Sequence, residues 1–153
     1  MNFPVNHSQA IATPAELNDI LGVECQAVYL NSLGYLVEVA SEDLVREMQP
    51  NFQQMKMLPL GKVIVTTLTD SGSDYDFISR FFAPGVGINE DPVTGSAHCC
   101  LAPFWRNTLN KDEFLAYQAS NRGGIVKVRY IGDDRVLLAG QAITLMRGEL
   151  ITS

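Results

Sequence analysis

The sequence predicts an α+β domain in which a curved mixed β-sheet wraps around one central α-helix. Most of the chain beyond Leu60 carries strand signals, β-branched and apolar runs separated by Gly, Asp and Asn turns. One segment breaks that pattern. Gly95–Leu109 places apolar residues at 97, 101, 104, 105 and 109, the helical period, while Cys99, Cys100, Ala102 and Pro103 make its other faces apolar as well. A helix apolar nearly all round is buried rather than laid on a surface. At 1.5 Å per residue it is about 22 Å long, so strands wrapped around it enclose most of its length. The composition agrees: 153 residues with 46% AVILMFWYC and only 18% DEKR make one domain, residues 1–153, whose core offsets the entropy of ordering the chain.

The elements follow in order. Thr13-Pro14-Ala15-Glu16 offers an N-cap, a proline at the first helical position and an acidic first turn, for a helix that runs to Leu21 and stops at Gly22. Cys25–Asn31 and Gly34–Ala40 read as strands around an Asn31–Gly34 turn. Ser41 caps a short helix, Glu42–Met48, which Pro50 ends, and Asn51 begins another helical turn. Lys62–Thr69 and Tyr75–Phe82 are strands joined by the Asp70–Ser73 turn, and Ala83–Thr94, with two prolines and two glycines, is a loop. After the central helix, Phe114–Ser120 and Ile125–Ile131 form a hairpin around Asn121–Gly124. Gly132–Asp134 turns the chain into Arg135–Met146, bent at Gly140, and a short last strand lies around Glu149–Thr152.

The net charge of −6 removes the basic footprint of a nucleic-acid groove. Residues 1–60 hold seven acidic against two basic side chains, so the acidity sits mostly in the first part. Three cysteines (Cys25, Cys99, Cys100) and two histidines assemble no disulfide framework and no zinc-ligand spacing. No apolar run approaches the ~20 residues of a membrane span, and the N-terminus has no signal-peptide pattern. The expectation is a cytoplasmic protein without membrane or nucleic-acid partners.

The stretch Gly87–His98 carries the chemistry. Gly95 and Ser96 stand where the central helix begins, and free amides at a helix start gather carboxylate or phosphate. Glu90 and Asp91 are adjacent carboxylates just before it, Pro92 fixes the turn after them, and Ser96 and His98 add a hydroxyl and an imidazole. A small carboxylate-bearing ligand is the natural guest. Each residue also has a plainer reading: Asp or Thr before a helix is usually a cap, Glu90 is solvated, His98 is a hydrogen-bonded core residue, and the adjacent cysteines are small buried apolar groups. Gly-Ser-Ala-His lacks the strand–elbow context of a hydrolase nucleophile at Ser96.

Arg80-Phe81-Phe82-Ala83-Pro84, Gly87-Ile88, the run Glu90-Asp91-Pro92-Val93-Thr94-Gly95-Ser96-Ala97-His98, Leu101-Ala102-Pro103 with Trp105, and Gln118–Gly124 together resemble the phenazine-biosynthesis-like (PhzF-like) family. Weaker echoes occur at Asn2-Phe3-Pro4 and Met48-Gln49-Pro50. The resemblance implies a diaminopimelate-epimerase-like fold of two similar domains with the active site in the cleft between them. It also implies a cofactor-independent isomerase that moves a proton next to a carboxylate. By that resemblance Asp91 and Ser96 are the active-site residues of this half, and Gly95, Ser96, Ala97 and His98 bind substrate, the first three through backbone donors. Arg122-Gly123-Gly124 falls near the cleft without a role in the chemistry.

The same resemblance marks what this chain lacks. Members are nearly twice as long, and everything matched belongs to their C-terminal half. The family's general acid/base glutamate sits in an Asn-Leu-Ser-Glu-Thr-like motif that does not occur here. Related racemases carry a cysteine where this chain has Thr94, which excludes a two-thiol mechanism on this half. Three readings follow: a half-enzyme completed by an N-terminal-half polypeptide, a homodimer across the surface facing the missing domain, or a non-catalytic carboxylate-binding or interaction module. All three expect an exposed apolar cleft face.

Overall fold

A computed structural model describes residues 1–149 and 151. Ten strands form one mixed sheet: β1 (Asn2–Pro4), β2 (Gln9–Ile11), β3 (Ala27–Leu30), β4 (Tyr35–Glu38), β5 (Val63–Leu68), β6 (Phe77–Ala83), β7 (Ile88–Glu90), β8 (Glu113–Gln118), β9 (Gly124–Tyr130) and β10 (Arg135–Ala139). Nine of them run in the order β1-β10-β9-β8-β6-β5-β4-β3-β2, and β7 folds back onto β6. The β4–β5 and β6–β8 pairs are parallel and the others antiparallel. Among the described residues four α-helices accompany the sheet: α1 (Leu17–Leu21), α2 (Glu42–Glu47), α3 (Phe52–Met55) and α4 (Gly95–Leu109).

Alternation along the strands sorts the core into two layers. On one face Leu36, Ile64, Phe77, Phe81, Phe114, Ala116, Val126, Val128, Val136 and Leu138 pack around α4. On the other, Val37, Val63, Val65, Ile78 and Phe82 pack against Leu17, Leu21, Val45 and Met55 of the three short helices. The central helix has the bounds its periodicity predicts, and Ala97, Cys100, Leu101, Ala102 and Trp105 are buried along it. The second layer is a feature the sequence reading did not contain: helices of four to six residues have too few turns to display an amphipathic stripe.

Several boundaries differ from expectation for local reasons. The first helix starts at Leu17, not after Thr13, because the Leu17 amide donates to Pro14 O in a turn, and Glu16 precedes the helix without a side-chain cap. Gly22 does end it, with φ 71°. Ser41 and Asn51 cap α2 and α3 as read, accepting from the Leu44 and Gln54 amides. The loop expected over Ala83–Thr94 contains a 3-10 turn, Pro84–Val86, and β7. The strand expected over Arg135–Met146 stops at Ala139, leaving Gly140 and the residues after it without regular structure. Of the short strand expected at Glu149–Thr152, Glu149 and Ile151 are irregular and the other two residues lie outside the described ones. Strands β1 and β2, three residues each, were too short to signal themselves.

Pro103 lies inside α4 and so cannot donate to Cys99 O. That carbonyl instead accepts from the Asn6 amide at 3.1 Å, which ties the segment between β1 and β2 to the middle of the buried helix.

Candidate functional site

The segment between β6 and α4 is shaped by its own polar residues. Arg80, nearly buried in an apolar strand, forms a bidentate pair with Glu90, Nε to Oε1 at 2.7 Å and Nη2 to Oε2 at 3.0 Å. Its third nitrogen, Nη1, donates to Val45 O and Met48 O at the end of α2, at 3.2 and 2.9 Å. Glu90 is therefore not a solvated carboxylate, as the plainer reading had it. Both its oxygens are held, and the pair fixes β7 on β6. One residue further, the Asp91 amide donates to Phe81 O at 3.0 Å, which starts the turn into α4 from a defined place.

Asp91, Thr94 and Gln118 form one network. Gln118 is fully buried on β8, its Oε1 accepting from the Thr94 amide at 2.8 Å and its Nε2 donating to Asp91 O at 2.7 Å and to Thr94 Oγ1 at 3.2 Å. An amide proton on one side and a carbonyl on the other leave the side-chain amide a single orientation. Because Thr94 Oγ1 accepts from Gln118, its own proton goes to Asp91 Oδ2, at 2.6 Å. Ser120 Oγ donates to Pro92 O at 2.8 Å, closing the turn from the hairpin side. The same hairpin brings Gly124 so close that a Cβ there would overlap Val93 Cγ2 and displace the Val93 side chain. The Arg122–Gly124 stretch thus lies beside the Asp91–Thr94 turn.

The helix tip is left uncapped. Thr94 is the N-cap residue, with φ −114° and ψ 106°, yet no side chain caps the helix. Its hydroxyl donates to Asp91 Oδ2. Neither serves as the cap that Asp and Thr before a helix usually are. The amides of Gly95, Ser96 and Ala97 precede the first intrahelical donor, the His98 amide, which bonds Thr94 O. Gly95 and Ser96 are exposed, whereas the Ala97 side chain is buried. What results is an open ledge: a positive helix end beside a half-buried carboxylate. A groove elsewhere, between β3–β4 and the outer face of α4, is lined by Tyr29, Glu38, Phe104 and Asn107 and shares no residue with this ledge.

His98 stands apart from the exposed tip. It is fully buried, 6.3 Å from the Phe77 ring, with Nδ1 2.7 Å from Thr94 O. A carbonyl only accepts, so Nδ1 carries the proton, and Nε2 presents an unpartnered lone pair to the core. Burial lowers its pKa from 6.5 to about 4 against the opposing hydrogen bond to Thr94, so the ring is neutral at pH 7. This is the hydrogen-bonded core histidine of the plainer reading. The cysteines are free, and burial pushes the thiols of Cys25, Cys99 and Cys100 up, that of Cys25 to about 11. Among the described residues no group of three or more His, Cys, Asp or Glu side chains is arranged to hold a metal ion.

Sequence reasoning passed over Gln118 and Arg80 as parts of the site. Their signal was a polar residue at a core register: Gln118 follows Phe114 and Ala116 on the buried face of β8, and Arg80 interrupts the run Phe77–Ala83.

A family model for the phenazine biosynthesis-like protein matches residues 5–148. The chain belongs to this family. It is 49% identical over 152 residues to an uncharacterized isomerase of Halalkalibacterium halodurans, covering 99% of this chain and 57% of that relative. It is 41% identical over 150 residues to an uncharacterized isomerase of Pseudomonas aeruginosa, covering 98% and 56%. A solved PhzF-family phenazine biosynthesis protein from Enterococcus faecalis superimposes with a TM-score of 0.88 at 37% identity, over 99% of this chain and 57% of that one. This phenazine biosynthesis-like chain therefore has the α+β architecture of the PhzF family, and it spans a little over half the length of the curated relatives it matches.

Proposed function

We propose that this chain supplies one wall of the active site of a cofactor-independent isomerase acting on a small carboxylate. The observation that carries the reading is the uncapped first turn of α4 beside Asp91. In this reading the amides of Gly95, Ser96 and Ala97 bind the substrate carboxylate, and Asp91 and Ser96 face the reacting carbon. His98 contributes by holding Thr94 O from within the core rather than by touching substrate.

The chemistry is a proton shift. A base takes the proton alpha to the carboxylate, and the electron pair moves onto the carboxylate oxygens, where the amides stabilise the added charge. The proton then returns at a different position or face, so nothing is oxidised or reduced and no cofactor is required. By family resemblance the principal acid/base group, a glutamate, belongs to the part of the relatives that this chain does not span. The second wall of the cleft then comes from that part or from a second copy of the chain. Two things support a partnered surface. Val86 before β7, Ile88 in β7 and Ile125 in β9 are exposed, and Ile143, Leu145 and Met146 are exposed beyond β10. That both bacterial relatives are named as isomerases supports the isomerase class.

Solvent deuterium incorporation at Cα of small amino-acid-like and unsaturated carboxylates tests this reading. The purified chain alone gives little or none. Mixed with the portion of the Halalkalibacterium relative that it leaves uncovered, it gives exchange that Asp91→Asn abolishes. Turnover by the chain alone, lost in Asp91→Asn, overturns the need for a second wall. Light scattering on the same samples separates a hetero-complex from a concentration-stable homodimer.

A further inference from the structure

We propose that Gln118 is a positioning residue that keeps Thr94 from capping α4, so that the amides at the helix tip stay open to an anionic ligand. The inference rests on the carboxylate site proposed above and adds the device that holds it open.

A threonine at an N-cap normally turns its oxygen to the amide two or three residues on, here Ser96 or Ala97. Thr94 has the extended backbone of an N-cap and the right side chain, yet makes no such bond. Its hydroxyl instead accepts from Gln118 Nε2 at 3.2 Å and donates to Asp91 Oδ2 at 2.6 Å. Gln118 is fully buried, so an apolar side chain of similar size in its place leaves these partners unsatisfied. Its Oε1 also holds the Thr94 amide at 2.8 Å, and its second Nε2 bond holds Asp91 O at 2.7 Å. Both ends of the turn are thereby clamped to β8, and the hydroxyl between them points toward Asp91. Without Gln118, Thr94 is free to rotate its hydroxyl onto the Ala97 amide and occupy the place of the ligand. The arrangement also leaves Asp91 with one oxygen satisfied and the other, Oδ1, available.

Acetate, followed by amide chemical shifts of Ser96 and Ala97 in the full chain, tests the proposal. Gln118→Met, close in length but without donor or acceptor, moves the ligand-free Ala97 amide shift and weakens acetate about fivefold, the order of what a side-chain cap is worth. Thr94→Val added to Gln118→Met removes the competing hydroxyl, and both the shift and the affinity return toward wild type. A merely structural role for Gln118 gives no such rescue, because the second substitution only deepens the damage. Unchanged affinity in Gln118→Met, or no rescue in the double variant, overturns the proposal. Should Gln118→Met not fold, Gln118→Asn withdraws the same bonds by one methylene and carries the same two outcomes. The ligand-free Ala97 shift decides the capping claim even where acetate does not bind. Absence of binding by the wild type counts against the carboxylate site itself.

Discussion

Thr94 donates its hydroxyl proton to Asp91 Oδ2 across 2.6 Å, and neither side chain caps α4. A pair that would close a helix end is turned on itself, and the end stays open. The consequences reach into the surrounding packing, where several can be measured.

Glu90→Gln removes the charge opposite the nearly buried Arg80 guanidinium and turns one of the two accepting oxygens into an NH2 group that cannot accept from it. Breaking one side of a buried pair costs roughly 3–5 kcal/mol. Urea unfolding of Glu90→Gln reads the loss directly. Arg80→Lys is expected to behave almost as badly, since an ammonium cannot reach both the carboxylate and the end of α2. Wild-type stability in either variant contradicts the bracing role assigned to the pair.

His98 predicts a pH dependence of stability. Burial lowers its folded-state pKa to about 4 from the ordinary 6.5. Between those values the unfolded chain binds a proton that the folded chain refuses, so stability falls as pH drops from 6.5 toward 4 and is fully present above 6.5. The loss over that window is about 3 kcal/mol at 1.36 kcal/mol per pH unit. Urea midpoints from pH 7 to pH 4.5 show a steeper decline in the wild type than in His98→Asn, which has no group to titrate at that site. Parallel profiles contradict a buried neutral imidazole.

Pro103 and Asn6 predict a local exchange of partners. Pro103→Ala restores an N–H to α4 and gives Cys99 O its usual helical donor in place of the Asn6 amide. Native-state hydrogen exchange then finds the Asn6 amide less protected and the amide at position 103 protected. An unchanged Asn6 rate contradicts the clamp between the β1–β2 segment and the helix.

Trp105, the single tryptophan, donates its indole N–H to Thr66 Oγ1 at 3.0 Å, and that hydroxyl donates to Ile78 O at 2.8 Å. Thr66→Val orphans a buried donor and is expected to cost about 1–3 kcal/mol. Thermal unfolding followed by tryptophan emission measures the cost and reports whether the native environment of the ring is disturbed.

The sequence made α4 legible from end to end because fifteen residues give the helical period room to show, and the apolar filling of its other faces declared it buried. The hairpin of β8 and β9 was legible for the same kind of reason, alternation followed by Gly123-Gly124. Strands β1, β2 and β7, at three residues each, carry no period. They exist because long-range partners pair with them, such as β10 for Asn2–Pro4. At the site, sequence pattern located Asp91, Thr94, Gly95 and Ser96 but offered capping and ligand binding as rival uses. Deciding between those uses needed Gln118, which lies twenty-four residues from Thr94 along the chain and meets it only through the β6–β8 pairing.

The central claim is that amides at the tip of α4 bind a carboxylate beside Asp91. The most direct measurement is an acetate titration of the 15N-labelled chain at constant ionic strength, following Gly95, Ser96 and Ala97. A saturable displacement of these three amides, weakened in Ser96→Ala, is the result expected. A linear drift shared with amides across the whole surface, and no saturation at the helix tip, contradicts the account.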